Sequence, residues 1–233
     1  SSSISGKYFN YSIEEIIGKL KDIIENVSEV HITGGVNRYY DLNYYSKLFK
    51  EIKLLKEDIH IKALTAEEID FISRISNSSI ENVLRILVAC GLDTIAGGGA
   101  EIFNENIRKQ ICKDKISGYR WLEIHKIAHR LGIKSNATMM YGHIESVDDI
   151  VEHLKLLREL QNETGGFLSF IPLKFRNKNN LLRDVEESSL LNDMKIMCLS
   201  RIYLDNIAHI KVYWPNYGKE NILFFVECGA DDI

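Results

Sequence analysis

Helical and strand-like segments alternate along the whole chain of 233 residues. Apolar residues repeat at helical spacing over 13–24, where Ser12 and Glu15 have the spacing of a capping box, and a strand-like segment follows at 29–33. Continuing this way, the sequence predicts seven strands, near residues 30, 60, 93, 135, 169, 211 and 231. Strands that alternate with helices predict a parallel sheet covered by helices, and this continuous rhythm favours a barrel over an open nucleotide-binding sheet.

We expect one α/β domain over residues 1–233, because no linker, low-complexity tract or shift in composition divides the chain. A complete (β/α)8 barrel of the TIM type takes about 250 residues. This sequence begins with a helix, so the prediction is an incomplete TIM-type barrel without its first strand. Such a barrel has unpaired strand edges. We therefore expect either that an N-terminal segment covers the gap or that chains pair there as a homo-oligomer.

The composition excludes several classes of protein. The 29 basic and 33 acidic residues give a net charge of −4, which argues against nucleic-acid binding through bulk positive charge. No apolar run approaches the 18–20 or so residues of a membrane span. Cys90, Cys112, Cys198 and Cys228 are too far apart for a zinc or iron–sulfur motif. Scattered thiols are typical of a reducing compartment, so we expect a cytoplasmic protein. We expect its partner to be a small molecule, and we expect it to bind neither nucleic acid nor a membrane.

Two glycine-rich segments follow predicted strands, where parallel barrels bind their ligands. Gly34 and Gly35 either offer N–H donors to a bound group or form a tight turn, and the sequence leaves both open. Three glycines at 97–99 favour a turn with positive φ or a ligand against the backbone. Glu101 then either accepts hydrogen bonds from a ribose or an amine, or lies at a helix N-terminus, where a carboxylate is stabilised.

The densest group of polar side chains follows the strand predicted at 133–139. It consists of Thr138, Tyr141, His143 and Glu145. Ser135 and Asn136 come slightly earlier, and strand alternation points one of the two into the barrel. Such groups can bind a carboxylate substrate or move protons. The alternative is a helix cap in which neighbouring backbone satisfies His143.

The remaining histidines rank lower as site residues. His125 and His129 have the i, i+4 spacing of a metal pair, but no third ligand is evident. Their helix is expected outside the barrel, so we favour a packing or solvated role and predict no metal site. His31 and His60 lie within predicted strands and are candidates to point into the barrel.

Several segments together resemble the aminofutalosine synthase family, which comprises radical S-adenosylmethionine enzymes of the futalosine route to menaquinone. The similar segments are residues 97–103, 121–133, 134–145, 157–167, 170–173, 204–206, 209–211 and 229–232. Their order and spacing match from about Tyr11 to the last residue. Dehypoxanthine futalosine cyclase and the deazaflavin cofactor synthase subunits share part of the pattern. The Ser-Asn-Ala-Thr-Met segment at 135–139 and the Ala-Glu-Ile-Phe segment at 100–103 favour the synthase.

The resemblance implies a radical S-adenosylmethionine barrel that uses S-adenosylmethionine, a 4Fe-4S cluster and an electron donor. A 5′-deoxyadenosyl radical would add to the enolpyruvyl double bond of 3-(1-carboxyvinyloxy)benzoate, and loss of a carboxylate would give aminofutalosine. The implied cofactor-binding residues are Gly34, Gly35, Glu101 and Ser135. The implied catalytic residues are Tyr141, His143 and Glu145. The implied substrate-binding residues are Asn136, Thr138 and Arg176.

The sequence also departs from the family. The family's Cys-x-x-x-Cys-x-x-Cys motif lies after the first strand, and none of the four cysteines has that position or spacing. Asn37-Arg38 stands where the family has His-Pro, and residues 176–179 read Arg-Asn-Lys-Asn instead of His-Pro-Glu-Asn. The chain is therefore either a portion of a longer enzyme or a degenerate, non-catalytic barrel that binds a small molecule or a partner. A cyclase-like enzyme is a third alternative.

Overall fold

A parallel sheet forms the centre of the computed structural model, which describes residues 11–178 and 182–233. Six strands pair in the order in which they occur in the sequence, and every pair is parallel. The strands are β1 (Glu29–Ile32), β2 (His60–Ala63), β3 (Thr94–Ile95), β4 (Lys134–Tyr141), β5 (Phe167–Lys174) and β6 (His209–Ile210). This sequential order with helical crossovers confirms the predicted α/β architecture of the TIM-barrel type.

Nine α-helices are present in the described part of the chain. They are α1 (Ile13–Lys21), α2 (Leu42–Leu55), α3 (Ala66–Ile75), α4 (Ile80–Ala89), α5 (Glu105–Ile111), α6 (Gly118–Arg130), α7 (Val147–Thr164), α8 (Leu190–Tyr203) and α9 (Ile222–Glu227). Short 3-10 turns occupy Ile24–Asn26, Trp214–Asn216 and Lys219–Asn221. None of the helices in these ranges is both long and apolar enough to cross a membrane.

Side-chain caps explain where several helices begin. Ser12 accepts a hydrogen bond from the Glu15 N–H while the Glu15 carboxylate accepts one from the Ser12 N–H, so the predicted capping box is confirmed. Ser146 and Asp149 form the same reciprocal pair at the start of α7. These contacts are local, which is why the sequence indicates them.

The last predicted strand and helix differ from the structure. The strand expected near residue 231 is reduced to one bridge between Lys211 and Asp232, because the carboxylate of Asp231 takes the N–H of Ile210. The helix expected at 218–228 begins with a 3-10 turn and becomes α9 only at Ile222. The polar loop predicted at 177–187 contains no helix or strand where it is described, and residues 179–181 lie outside the described part.

Strand β4 presents two different faces. Ser135 bonds to side chains of α6, and Tyr141 bonds to a side chain of α8. Because side chains alternate along a strand, the residues that share the helix-facing side are Ser135, Ala137, Met139 and Tyr141. The opposite face, which is the interior of the barrel-type sheet, carries Asn136, Thr138 and Met140.

Gly97 allows the chain that leaves β3 to approach β4 very closely. A Cβ atom at this position would lie 2.3 Å from the carbonyl oxygen of Asn136 and 3.1 Å from the backbone nitrogen of Ala137. The Thr138 hydroxyl then donates a 2.7 Å hydrogen bond to the Gly97 carbonyl. Only glycine fits this approach, and it fixes the start of the glycine-rich segment against β4.

Substitution Gly97→Ala should lower the free energy of unfolding by about 2–3 kcal/mol, because the new methyl group overlaps backbone atoms that cannot rotate away. Urea unfolding measures this change. Gly18→Ala in α1 is the matched control, since a Cβ atom there meets nothing within 4 Å. It should leave stability unchanged or raise it by about 0.5–1 kcal/mol. Equal effects of the two substitutions would contradict the close contact.

Candidate active site

A cavity of about 330 Å³ opens at the carboxyl ends of β1, β2 and β3. Its lining residues are Thr33, Gly35, Val36, Thr65, Glu67, Glu68, Gly99, Asp114 and Lys115. Gly35 has a φ of +71°, and a Cβ atom there would meet no atom within 4 Å, so conformation requires this glycine. The cavity lies where parallel barrels bind ligands, and its walls carry charges of both signs.

Glu68 organises the β1 and β2 side of this cavity. Its carboxylate accepts hydrogen bonds from the N–H and hydroxyl groups of Thr65, at 2.8 and 2.9 Å, in the capping box of α3. It also accepts a 3.2 Å bond from the N–H of Gly34. The Gly34 donor is therefore engaged within the protein, which agrees with the tight turn, one of the two alternatives left open by the sequence. The Thr-x-x-Glu spacing is the signal that could have identified Glu68.

Arg108 stabilises the irregular backbone that follows the glycine-rich segment. Its buried guanidinium donates to the carbonyl groups of Ala100 and Ile102, at 2.5 and 3.1 Å. It also donates to the Ile116 carbonyl at 2.5 Å. Since these carbonyls belong to irregular backbone, the arginine supplies hydrogen bonds that a sheet would otherwise provide.

Glu101 lies at the β3 and β4 side of the cavity and has a left-handed backbone, with a φ of +50°. Its carbonyl accepts a 2.7 Å hydrogen bond from the Met140 N–H. Its carboxylate is 2.6 Å from the ammonium group of Lys115, which lines the cavity. The structure therefore brings Glu101 together with the glycine segments, and Lys115 is a neighbour that the sequence did not indicate.

Asn136 and Thr138 lie on the interior face of β4. The Thr138 hydroxyl is used in the bond to Gly97, and its carbonyl accepts a 3.0 Å bond from His153. Asn136 is 6% exposed, and its side chain makes no hydrogen bond with another described residue. Asn136 is thus the member of the predicted pair that faces the interior.

Ser135 lies on the face of β4 that packs against the helices. Its hydroxyl is 2.8 Å from Nδ1 of His125 and 2.8 Å from Nε2 of His129, both on α6. This placement does not support the predicted contact between Ser135 and the cofactor, because the buried hydroxyl is enclosed between β4 and α6. It also gives the two histidines the packing role expected for them.

Burial keeps these histidines neutral. It lowers the pKa of His129 to about 4, with a smaller effect from the charge of Lys134. Burial likewise lowers the pKa of His125 well below its ordinary value, and neighbouring His129 adds to this. His153 on α7 is a third case, since burial lowers its pKa to about 3 although its bond to the Thr138 carbonyl acts in the opposite direction.

Tyr141, predicted as catalytic, is enclosed in a buried hydrogen-bond network. Its hydroxyl donates to the Asp193 carboxylate at 3.0 Å and lies 3.1 Å from the hydroxyl of Tyr217. Lys174 pairs with the same carboxylate at 2.8 Å, and Tyr217 donates to the Pro172 carbonyl. Burial raises the pKa of Tyr141, and the neighbouring Tyr217 and Asp193 raise it further. These contacts join β4, β5 and α8, so the geometry gives this tyrosine a structural position.

His143 and Glu145 form a compact turn after β4. The carboxylate of Glu145 accepts hydrogen bonds from the N–H groups of Gly142 and His143, at 2.5 and 2.8 Å, and lies 3.0 Å from Nδ1 of His143. Nε2 of the same ring is 3.2 Å from the Met140 carbonyl. Burial acts to raise the pKa of Glu145, but these hydrogen bonds outweigh it and the pKa falls below its usual value. The turn lines a second cavity, of about 510 Å³, beside α7 and α8.

Arg176 lies apart from both groups. Its exposed guanidinium pairs with the Glu187 carboxylate at 2.5 Å and donates to the Asn216 carbonyl. It thereby joins the segment after β5 to two later loops. The structure brings together Gly34, Gly35 and Glu101 near the first cavity, and His143 with Glu145 near the second.

Comparison with known families assigns both parts of the sequence. Residues 1–157 match the radical SAM superfamily, and residues 164–233 match the CofH/MqnC C-terminal region. The chain is 39% identical to aminodeoxyfutalosine synthase of Thermus thermophilus over 97% of its own length and 62% of that protein. It is 36% identical to cyclic dehypoxanthine futalosine synthase of Streptomyces coelicolor over 97% of its length and 57% of that protein.

A solved structure supports the same fold. Methylornithine synthase superposes with a TM-score of 0.74 over 96% of this chain and 62% of that chain, at 14% identity. Since the identity is low, this likeness concerns the fold alone. The carboxyl transferase domain of Rhizobium etli pyruvate carboxylase superposes more weakly, with a TM-score of 0.54 over 97% of this chain and 36% of that one.

The chain belongs to the radical SAM superfamily, as the match over 1–157 shows. It spans about three fifths of the length of the curated relatives it matches. The family resemblance expected from the sequence motifs is confirmed by these family matches and by the identity to aminodeoxyfutalosine synthase. Members of this superfamily use S-adenosylmethionine with a 4Fe-4S cluster.

The residues present fit the two cofactors differently. The first cavity offers an open glycine backbone at Gly35, carboxylates and the Lys115 ammonium, which suit a zwitterionic amino acid and a ribose. A 4Fe-4S cluster needs several thiolates at one place. No three histidine, cysteine or acidic side chains meet as a metal site within 11–178 and 182–233. The four cysteines of this chain therefore do not fit a cluster.

The buried histidines predict a dependence of stability on pH. The pKa of His153 is about 3 in the folded protein and near 6.5 in the unfolded chain, so its stabilising contribution is complete above about pH 6.5 and is lost as the pH falls towards 3. His153→Gln keeps a donor for the Thr138 carbonyl but does not titrate. Between pH 7 and pH 5 the wild type should lose about 2 kcal/mol more stability than this variant.

Urea unfolding at the two pH values measures the difference. Lys155→Gln, on the exposed face of the same helix, is the matched control and should retain the wild-type dependence. If the wild type and His153→Gln lose the same stability on acidification, the buried neutral histidine is not the cause.

Proposed function

We propose that this protein acts as an aminofutalosine synthase. The reaction joins the 5′-deoxyadenosyl group of S-adenosylmethionine to the enolpyruvyl double bond of 3-(1-carboxyvinyloxy)benzoate, with loss of a carboxylate. The observation that carries this proposal is the similarity to an aminodeoxyfutalosine synthase along nearly the whole chain. The cluster that starts such chemistry needs thiolates other than the four cysteines of this chain, and an electron donor.

For S-adenosylmethionine we propose the cavity at the ends of β1, β2 and β3. Gly35 lets the methionine part approach the backbone, and Gly34 shapes the same turn through its bond to Glu68. Lys115, positioned by Glu101, supplies a positive charge for the methionine carboxylate. For Glu101 we also propose a role as acceptor of a hydrogen bond from a ribose or an amine. Support comes from the mixed charge of the walls and from the position of the cavity.

For the substrate we propose the interior face of β4, with Asn136 and Thr138 as binding residues. His143 and Glu145 are the proposed proton-handling residues. Nδ1 of His143 accepts the N–H of Ile144 and Nε2 faces the Met140 carbonyl, so the role would require the ring to exchange these backbone contacts for a proton on Nδ1, 3.0 Å from the Glu145 carboxylate. Tyr141 supports this turn from its buried network. For Arg176 we propose an indirect contribution to substrate binding. Its guanidinium is bonded to Glu187 and Asn216, so it would act by ordering the loops that carry these residues.

A cyclase-like activity is the second candidate, favoured by the similarity to cyclic dehypoxanthine futalosine synthase. Both reactions would use the same fold and cofactor, so the substrate distinguishes them. We also propose that chains pair as a homo-oligomer at the edge of the sheet. The remaining alternative is a non-catalytic barrel that binds a small molecule.

The decisive experiment starts with the coding sequence upstream of Ser1. If it encodes a Cys-x-x-x-Cys-x-x-Cys motif, the whole protein is reconstituted with iron and sulfide and supplied with each substrate. We expect aminofutalosine from 3-(1-carboxyvinyloxy)benzoate and no product from dehypoxanthine futalosine. Cyclised product from the latter alone would favour the second candidate. Absence of the upstream motif would contradict the proposed synthase and support the non-catalytic barrel.

Glu101→Gln should weaken the binding of S-adenosylmethionine to the chain about tenfold, because the loss of one charged hydrogen-bond partner frees Lys115 from the cavity wall. Isothermal titration calorimetry measures the affinity. Glu123→Gln removes an ion pair to Arg120 on α6 and is the control, which should bind like the wild type. Equal affinity of wild type and Glu101→Gln would contradict the assigned role.

A further inference from the structure

Lys62 projects from the middle of β2 towards the interior of the barrel-type sheet. Its neighbours Ile61 and Ala63 are fully buried in the core beneath the helices. Alternation therefore places Lys62 on the opposite face, and it is partly buried there. His31 of β1 is its partner across the sheet. Burial lowers the pKa of His31 and the charge of Lys62 lowers it further, while the charge of Glu29, two residues earlier on the same face, acts in the opposite direction.

Lys62 makes no hydrogen bond or ion pair with another residue of the described chain. The other lysines of the strands have partners, since Lys134 donates to the Gly165 carbonyl at 2.8 Å and Lys174 pairs with Asp193 at 2.8 Å. Partly burying an ammonium group without a counter-charge costs free energy. An unpaired lysine at the centre of a strand therefore lowers the stability of the fold unless an anion binds in the interior.

A second observation on the same face is independent of Lys62. Asn136 of β4 and Ser169 of β5 are partners across the sheet, and they are only 6% and 5% exposed. The core residue Phe170 lies next to Ser169 on the helix side, so Ser169 faces the interior as Asn136 does. Neither side chain bonds to any other residue in the described ranges. Buried amide and hydroxyl groups normally have partners, so this pair is available to a ligand.

The spacing of these groups restricts the ligand. Strands β2 and β4 are separated by one strand, which is about 10 Å across the sheet. Lys62 is level with Lys134, two residues before Asn136 on β4, which adds about 7 Å along the strand. An ammonium at one side and an amide with a hydroxyl at the other suit an elongated molecule with a carboxylate and a second polar end. An aryl ether that carries a carboxylate at each end has this form.

We propose that Lys62, together with Asn136 and Ser169, binds the substrate by its carboxylates inside the sheet, with Lys62 as the residue that selects for negative charge. The inference rests on the proposed function for the identity of the substrate. The anion-binding site itself rests only on the three side chains and their lack of partners. Lys62 thus becomes a binding residue that the family motifs did not indicate.

Calorimetric titration of the chain with 3-(1-carboxyvinyloxy)benzoate and with each of its two monoamides tests the proposal. Lys62→Met should weaken binding of the diacid about 10- to 100-fold, as expected for the loss of a charge-assisted hydrogen bond. Lys62→Arg should restore most of the affinity. For the monoamide that lacks the carboxylate held by Lys62, Lys62→Met should have no effect. Lys109→Met, at an exposed position of α5, is the matched control.

Stability separates a binding role from a structural one. Because Lys62 has no partner in the described chain, Lys62→Met should keep or raise the melting temperature in the absence of ligand. A lowered melting temperature, or an equal loss of affinity for the diacid and both amides, would overturn the proposal. A loss of affinity confined to S-adenosylmethionine would also overturn it, since the anion would then be the cofactor's carboxylate.

Isophthalate, a simpler dicarboxylate, separates failure of this inference from failure of the proposed function. Binding of isophthalate but not of the enolpyruvyl compound, with dependence on Lys62, would support the carboxylate site and contradict the proposed substrate. Binding of the enolpyruvyl compound without dependence on Lys62 would support the substrate and overturn the site. Binding of neither would overturn both.

Discussion

The close approach of Gly97 to the backbone of β4 is the contact on which the rest of the site depends. It places the chain after β3 directly against Asn136 and allows Thr138 to bond to the Gly97 carbonyl. From there the glycine segment leads to Glu101, whose carbonyl meets the Met140 N–H. The segment between the first cavity and the interior face of β4 is therefore held by direct backbone contacts, which a side chain at position 97 would disrupt.

The polar residues of β4 have different roles on its two faces. On the helix side, Ser135 and Tyr141 bond to buried groups of α6 and α8, which fixes the sheet to its helices. On the interior side, Asn136 has no such partner. Buried polar groups that are fully bonded stabilise the fold, whereas those left unbonded remain available for a ligand. The same segment thus serves both purposes.

Much of the fold could be predicted because it is encoded locally. Capping residues such as Ser12 mark helix starts, and apolar periodicity separates helices from strands. The seventh strand was predicted wrongly because a side chain, that of Asp231, replaces a backbone partner. In the site, the position of the glycine segments followed from the strand ends. The engagement of Gly34 by Glu68 did not, since these residues lie 34 positions apart.

The sequence by itself determined the parallel α/β architecture and the superfamily, because periodicity and motif strings are properties of the chain read in order. It also limited the interior-facing residue to Ser135 or Asn136. Only the tertiary structure decided between them, since the choice depends on His125 and His129 closing over the Ser135 hydroxyl. Likewise, only the assembled sheet shows that Lys62 has no partner in the described chain. Whether a polar group is satisfied depends on residues distant in sequence, and folding alone brings them together.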